Sequence, residues 1–151
     1  MTEQISTPQP APAHEHMPLT PSEERTWSML AHLSVLLNLV TGFAGPIVAL
    51  VIYLVFRDRS RYVAYHSLQA FLNQLVWWVC GGTIIAIAWA VSLTLSLVLI
   101  GLCLIPFACL FSFMPLISVV QGMVGAVKTS QGKDYSYWWI GSWVRGTLTG
   151  E

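Results

Sequence analysis

The sequence predicts an all-α integral membrane helical bundle of about four membrane segments. Residues 62–127 contain no Asp, Glu, Lys or Arg, and residues 26–56 form a second uncharged run. As helix, the longer run would extend about 100 Å, several times the roughly 30 Å hydrocarbon core of a bilayer. Only 9% of the 151 residues are charged, and the mean hydropathy is +0.64. Helices of a soluble domain this small need a polar face, which these runs lack.

The first 21 residues differ in composition from the rest of the chain. They contain five prolines and two glutamates and precede any apolar run, which predicts a disordered tail without a secretory signal. The first helix is predicted to begin with Ser22 as its N-cap. Glu23 and Glu24 follow, and negative charge in a first turn favours a helix start through the helix dipole.

The first uncharged run contains a helix break at Gly42, Gly45 and Pro46. Two interpretations compete for residues 22–56. One is a single kinked helix of about 50 Å, which needs a steep tilt to fit a bilayer. The other is a helix that turns at the break, followed by a short segment that returns to the starting side. We favour the second, because it accounts for both the glycine cluster and the excess length.

The 66-residue run is predicted to hold two spans of 25 to 30 residues that turn somewhere within residues 92–106. Lys128 and Lys133 end the last span, and tyrosines and tryptophans follow at residues 135–143. Such an aromatic belt is typical of a segment at the level of the lipid headgroups. The predicted membrane domain therefore covers residues 22–145, and residues 146–151 are a short C-terminal tail.

Basic residues set the predicted orientation. Arg57, Arg59 and Arg61 lie in one short loop, and Lys128 and Lys133 follow the last span. Four segments, with a hairpin in the first run, place all seven basic residues on one side. The positive-inside rule then predicts that both termini are cytoplasmic. The net charge of zero gives no indication of nucleic-acid binding, so the expected partners are the lipid bilayer and other membrane proteins or further copies of this chain.

A polar seam runs along the predicted helices. His66, Gln69 and Asn73 share one helix face by their spacing, His32 lies at a matching depth on the first segment, and Gln121 belongs to a stripe of small and polar residues on the last. Three interpretations remain open: hydrogen bonds that hold helices together, a polar vestibule open to the cytoplasm, and a haem or metal held by the two histidines.

The sequence offers little for catalysis. Between Asp58 and Asp134 it has no carboxylate, and it lacks the Gly-x-Ser-x-Gly, His-Glu-x-x-His and phosphate-loop motifs. The cysteines, Cys80, Cys103 and Cys109, match no metal or redox spacing. We therefore expect a non-enzymatic protein without a cofactor.

Several motifs resemble the Tic-twenty-like family of small bacterial membrane proteins, a domain family of unknown function. They are Ala31-His32-Leu33, Gly45-Pro46, His66-Ser67-Leu68-Gln69-Ala70 and a closing pattern of a small residue, Lys, Gly and two aromatics within residues 126–137. Trp138 stands where that family usually has proline. The family is distantly similar to a component of the chloroplast import machinery, so the resemblance implies a membrane-embedded interaction or channel-like, translocon-like component of the bacterial cytoplasmic membrane. The alternative is a structural or assembly subunit of a larger membrane complex.

Overall fold

The computed structural model describes residues 18–138 and 140–149, and within these ranges it is all-helical, as predicted. The α-helices, separated at three points by short 3₁₀ or π turns, are α1 (Pro21–Leu33), α2 (Leu37–Thr41), α3 (Ala44–Phe56), α4 (Arg61–Leu75), α5 (Gly81–Leu95), α6 (Ile100–Phe111), α7 (Met114–Ser130) and α8 (Ile140–Thr149).

Helix α1 begins at Pro21, one residue before the predicted N-cap. The N-cap is Thr20, and the prediction of Ser22 was wrong. The Glu23 carboxylate accepts a hydrogen bond from the Thr20 backbone N–H at 2.8 Å, and the Glu23 N–H donates to the Thr20 hydroxyl. This capping box, with proline at the first helical position, is a stronger helix start than Ser22, because the residue three positions after Ser22 is an arginine and cannot complete a capping box.

The chain reverses between α2 and α3. Gly42 adopts a left-handed conformation with φ of 81°, and α3 starts two residues later. The returning helix brings the Phe56 ring to 4.7 Å from the Trp27 ring, and the Ser60 hydroxyl donates to the Glu24 carboxylate at 2.5 Å. Residues 22–56 therefore form a hairpin, and the single kinked helix is excluded.

The uncharged run forms two long helical stretches, Arg61–Val98 and Ile100–Ser130, which turn at Leu99 within the predicted interval. They are 38 and 31 residues long, longer than the predicted 25 to 30. The first includes a π turn at Val76–Cys80, and the second is interrupted between Phe111 and Met114, ahead of a proline. At about 1.5 Å per residue, the first stretch is longer than the thickness of a bilayer core. It therefore cannot lie upright with its whole length inside the hydrocarbon region.

The described residues are polar inside and apolar outside. The largest fully buried side chains are His32, His66, Gln69 and Gln74. Large apolar side chains are exposed along α5 and α6, and in the most apolar 18-residue stretch of each long helix only 11% of residues are buried. A water-soluble fold shows the opposite distribution, so this surface fits a helical membrane protein.

The C-terminal part folds back over the start of α4. Residues 133–137 have no regular structure, and α8 packs on α4. The predicted boundary at residue 145 falls inside α8. Most of the predicted N-terminal tail, residues 1–17, lies outside the described residues, as do Trp139 and the last two residues.

Candidate functional site

The centre of the bundle holds a polar cluster, which we define as His32, His66, Gln69 and Tyr137. His32 Nε2 lies 3.3 Å from His66 Nδ1, and the Tyr137 hydroxyl lies 2.9 Å from His32 Nδ1. Both histidines are fully buried. The cluster thus joins α1, α4 and the C-terminal segment, which are far apart in sequence.

Gln69 fixes the C-terminal segment to α4. Its amide nitrogen donates to the Tyr135 carbonyl at 2.7 Å and to His66 Nδ1 at 2.9 Å. Its carbonyl oxygen accepts from the Tyr137 backbone N–H at 3.3 Å. Both polar groups of this buried amide are therefore satisfied, and two of its three partners belong to the segment that it holds.

The direction of the hydrogen bonds follows from Gln69. Because the Gln69 oxygen accepts from the Tyr137 N–H, its nitrogen donates, and His66 Nδ1 is therefore an acceptor. His32 Nε2 then carries the ring proton and donates to His66 Nδ1, which leaves His32 Nδ1 to accept from the Tyr137 hydroxyl. Burial raises the pKa of this hydroxyl well above the ordinary value, which keeps it protonated. The remaining nitrogen, His66 Nε2, lies 3.7 Å from the Asp134 carboxylate. The proton positions are assigned from this network, and they give one continuous donor-to-acceptor order.

A second polar layer closes the hairpin. Gln74 accepts from the Asn38 amide at 3.0 Å and donates to the Ser34 hydroxyl at 3.0 Å. Asn38 in turn accepts from the Gly45 backbone N–H at 2.8 Å. A Cβ at Gly45 would lie 2.6 Å from the Ser34 carbonyl oxygen, so only glycine allows this approach.

Asn73 and Gln121 lie apart from the histidines. Asn73 donates to the Ser118 hydroxyl on α7 at 3.3 Å. Asn73 and Gln121 line a cavity of about 320 Å³ between the π turn, α7 and the segment around Tyr137. The rest of the cavity wall is mostly apolar. The buried Gln121 side-chain oxygen has no hydrogen-bond partner among the described residues.

The predicted seam therefore divides into two parts. The structure brings His32, His66 and Gln69 together, whereas Asn73 and Gln121 reach the neighbouring cavity. Sequence reasoning missed the partners Asn38, Gln74 and Tyr137. Gln74 could have been identified from the sequence, because it is an amide within an apolar run and the preceding helical hairpin carries another amide, Asn38. Tyr137 could not, because it lies 105 residues from His32.

Small residues let α7 approach α1 at the cluster. A Cβ at Gly125 would lie 2.9 Å from His32 Nδ1, and one at Gly122 would lie 2.6 Å from a Val35 methyl carbon. The stripe of small residues identified in the sequence is thus the contact face of α7, and it allows the backbone to pack directly against His32.

The described residues offer no group of three His, Cys, Asp or Glu side chains arranged to hold a metal ion. His32 and His66 are already hydrogen-bonded to each other, to Gln69 and to Tyr137. A metal at either ring nitrogen of His32, or at His66 Nδ1, would have to displace these bonds. His66 Nε2 is buried without a hydrogen-bond partner among the described residues, and its neighbour is the Asp134 carboxylate at 3.7 Å.

The predicted topology-setting residues lie at one end of the bundle. Arg57, Arg59 and Arg61 flank the α3–α4 turn, where Arg61 donates to the Leu148 carbonyl of α8 at 2.8 Å. The Lys128 ammonium lies 5.3 Å from the centre of the Tyr135 ring, and the Lys133 carbonyl accepts from Tyr62 at the start of α4. These contacts bring the arginine turn, the end of α7 and α8 together.

Comparison with known proteins identifies the family. The MamF/MmsF model, described as the magnetosome magnetite crystal formation protein family, matches residues 23–144, nearly the whole described chain. Searches of curated proteins and of solved structures returned no match. The family match contradicts the resemblance to the Tic-twenty-like family, which depended on short motifs, and removes the basis for a translocon-like role. The chain belongs to the magnetosome magnetite crystal formation protein family.

Proposed function

We propose that this protein is a non-enzymatic component of the magnetosome membrane that supports magnetite crystal formation. The family match over residues 23–144 carries the proposal, because it extends from α1 into α8 and includes every residue of the polar cluster. The apolar exterior of the described residues supports placement in a bilayer.

The geometry favours an interaction or assembly component over a channel. A channel needs a polar path through both leaflets, whereas the polar cluster is closed and internally bonded. In the α5–α6 hairpin, the Ser92, Ser96 and Ser112 hydroxyls donate to carbonyls of their own helices. These hydroxyls are satisfied within their own helices and line no polar path. Bonds between helices come from the predicted seam, as between His32 and His66 and between Asn73 and Ser118, and we assign the seam the role of holding helices together.

Removal of the protein from a magnetosome-forming cell should yield fewer or smaller magnetite crystals, measured by electron microscopy of whole cells. The full-length protein supplied in trans should restore them. Counting the magnetosome vesicles in the same images separates an effect on crystals from an effect on the membranes themselves. Unaltered crystals in the deletion strain would overturn the proposal.

Four membrane segments should place both termini on the cytoplasmic face, because only this arrangement puts every basic residue on one side. Protease added to intact magnetosome vesicles, whose outer surface is the cytoplasmic face, should then remove an epitope tag at either end. A tag inserted after Val98 should be protected. Detergent is the control that exposes all three tags. Protection of either terminal tag before detergent is added would contradict the topology.

A further inference from the structure

A basic cleft lies between the start of α4 and α8, at the same end of the bundle as the arginine turn. Its volume is about 540 Å³. Three guanidinium groups converge on it, two from the arginine turn and one from α8, together with two tyrosines and one carboxylate. The six residues are Arg57, Arg61, Tyr62, Tyr65, Asp134 and Arg145.

Two of the arginines are held in place by the protein. Arg61 donates to the Leu148 carbonyl at 2.8 Å, and Arg145 donates to the Asp134 carboxylate at 2.5 Å and to the Tyr65 hydroxyl at 3.4 Å. A guanidinium has five N–H donors in a rigid fork, so the bond from Arg61 orients the group and leaves donors for an anion. A group positioned in advance loses less entropy when it binds.

The charge of the cleft favours an anion. Three guanidinium groups outnumber the one carboxylate among the lining residues. Asp58 lies outside the lining but 3.3 Å from Arg57; when it is counted, three guanidinium groups still outnumber two carboxylates. Arginine forks match the oxygens of phosphate in geometry as well as in charge.

The position of the cleft indicates where the anion would come from. Trp138 and Trp143 are exposed near the same end, as expected for side chains at the level of lipid headgroups. This placement rests on the membrane topology of the proposed function. We propose that the cleft binds a phosphate group at the membrane surface, supplied by an anionic phospholipid headgroup or by inorganic phosphate.

The test uses the purified full-length protein in phosphatidylcholine nanodiscs. Binding of dihexanoyl phosphatidic acid, dihexanoyl phosphatidylcholine and inorganic phosphate is measured by calorimetry at constant ionic strength. Arg57→Gln should weaken binding of the anion about fivefold, and Arg57→Gln with Arg61→Gln about 25-fold, since each guanidinium that is lost removes a similar share of the attraction for the phosphate group. Lys133→Gln is the matched control, because it removes a positive charge outside the residues that line the cleft.

Each outcome decides the proposal. Binding of phosphatidic acid without inorganic phosphate assigns the site to a lipid headgroup, and binding of both assigns it to phosphate from either source. Equal binding of phosphatidic acid and phosphatidylcholine, or an equal loss in Lys133→Gln, would overturn it, as would an absence of binding. Because the assay uses isolated protein, a failure to bind phosphate would contradict only the anion site. The role in crystal formation and the topology are tested separately, by the deletion strain and by protease accessibility.

Discussion

Gly45→Ala protein is expected to lose about 3 kcal/mol of stability, among the larger effects for one methyl group. The new Cβ would lie 2.6 Å from the Ser34 carbonyl oxygen and 2.7 Å from the Asn38 side-chain oxygen, and it would overlap the Gln74 amide oxygen. Carbon atoms do not approach oxygen this closely, so α3 must move away from the turn at Ser34, from α2 and from α4. That movement breaks the Gly45–Asn38 hydrogen bond and exposes the Asn38–Gln74 pair.

The measurement is thermal unfolding of the purified protein in mild detergent, with size-exclusion chromatography used to detect unfolding at each temperature. We expect the midpoint for Gly45→Ala to fall by about 10 °C. Gly82→Ala is the matched control, because no atom lies within 4 Å of its added Cβ and alanine is the better helix former. If Gly45→Ala unfolds with the wild type, the close packing of the hairpin is wrong.

The charge-free runs, with the glycines, prolines and arginines that interrupt them, were sufficient to predict the helical hairpins. The turn at Leu99 lies within the predicted interval, and the reversal at Gly42 follows the glycine and proline cluster. Span lengths were less accessible, since a uniformly apolar run carries no signal for where a helix leaves the bilayer. The predicted N-cap was wrong because the helix start was placed after Pro21, whereas proline is accepted in the first turn and the reciprocal bonds of Glu23 select Thr20.

Helical periodicity placed His66, Gln69 and Asn73 on one face, yet it could not identify their partners. Tyr137 reaches the cluster from 68 residues beyond Gln69, and the segment that carries it has no regular structure and therefore no periodicity. Contacts of this range depend on how helices pack, which local sequence does not encode.

The mistaken family resemblance has a structural explanation. The motifs that carried it contain His32, His66, Gln69 and Tyr137, which together form the polar cluster. These residues contact one another in the interior of the bundle, so their motifs reflect packing. A shared packing motif does not determine what a protein acts on, so the motifs alone misidentified the family and its role.

Gln69→Leu should be among the most damaging single changes in the cluster, with a loss of about 2–4 kcal/mol. Leucine removes the donor for the Tyr135 carbonyl and the acceptor for the Tyr137 N–H, and it takes one donor from His66 Nδ1. Hydrogen bonds between transmembrane helices average about 0.6 kcal/mol, but here several buried groups lose their partner at once. The C-terminal segment should also loosen, because Gln69 binds it at two points.

Two measurements separate this expectation from a water-filled vestibule. Unfolding in detergent should show the loss of stability, and hydrogen–deuterium exchange of the peptide covering residues 133–138 should become faster. Gln131→Leu, at an exposed position at the end of α7, adds the same apolar side chain and should leave both readouts unchanged. In a vestibule, Gln69 would be bonded to water, and its replacement would exclude that water at little cost to stability. Wild-type stability and exchange in Gln69→Leu would therefore favour the vestibule and contradict the closed cluster, because the three hydrogen bonds that define the closed state would then contribute nothing to the fold.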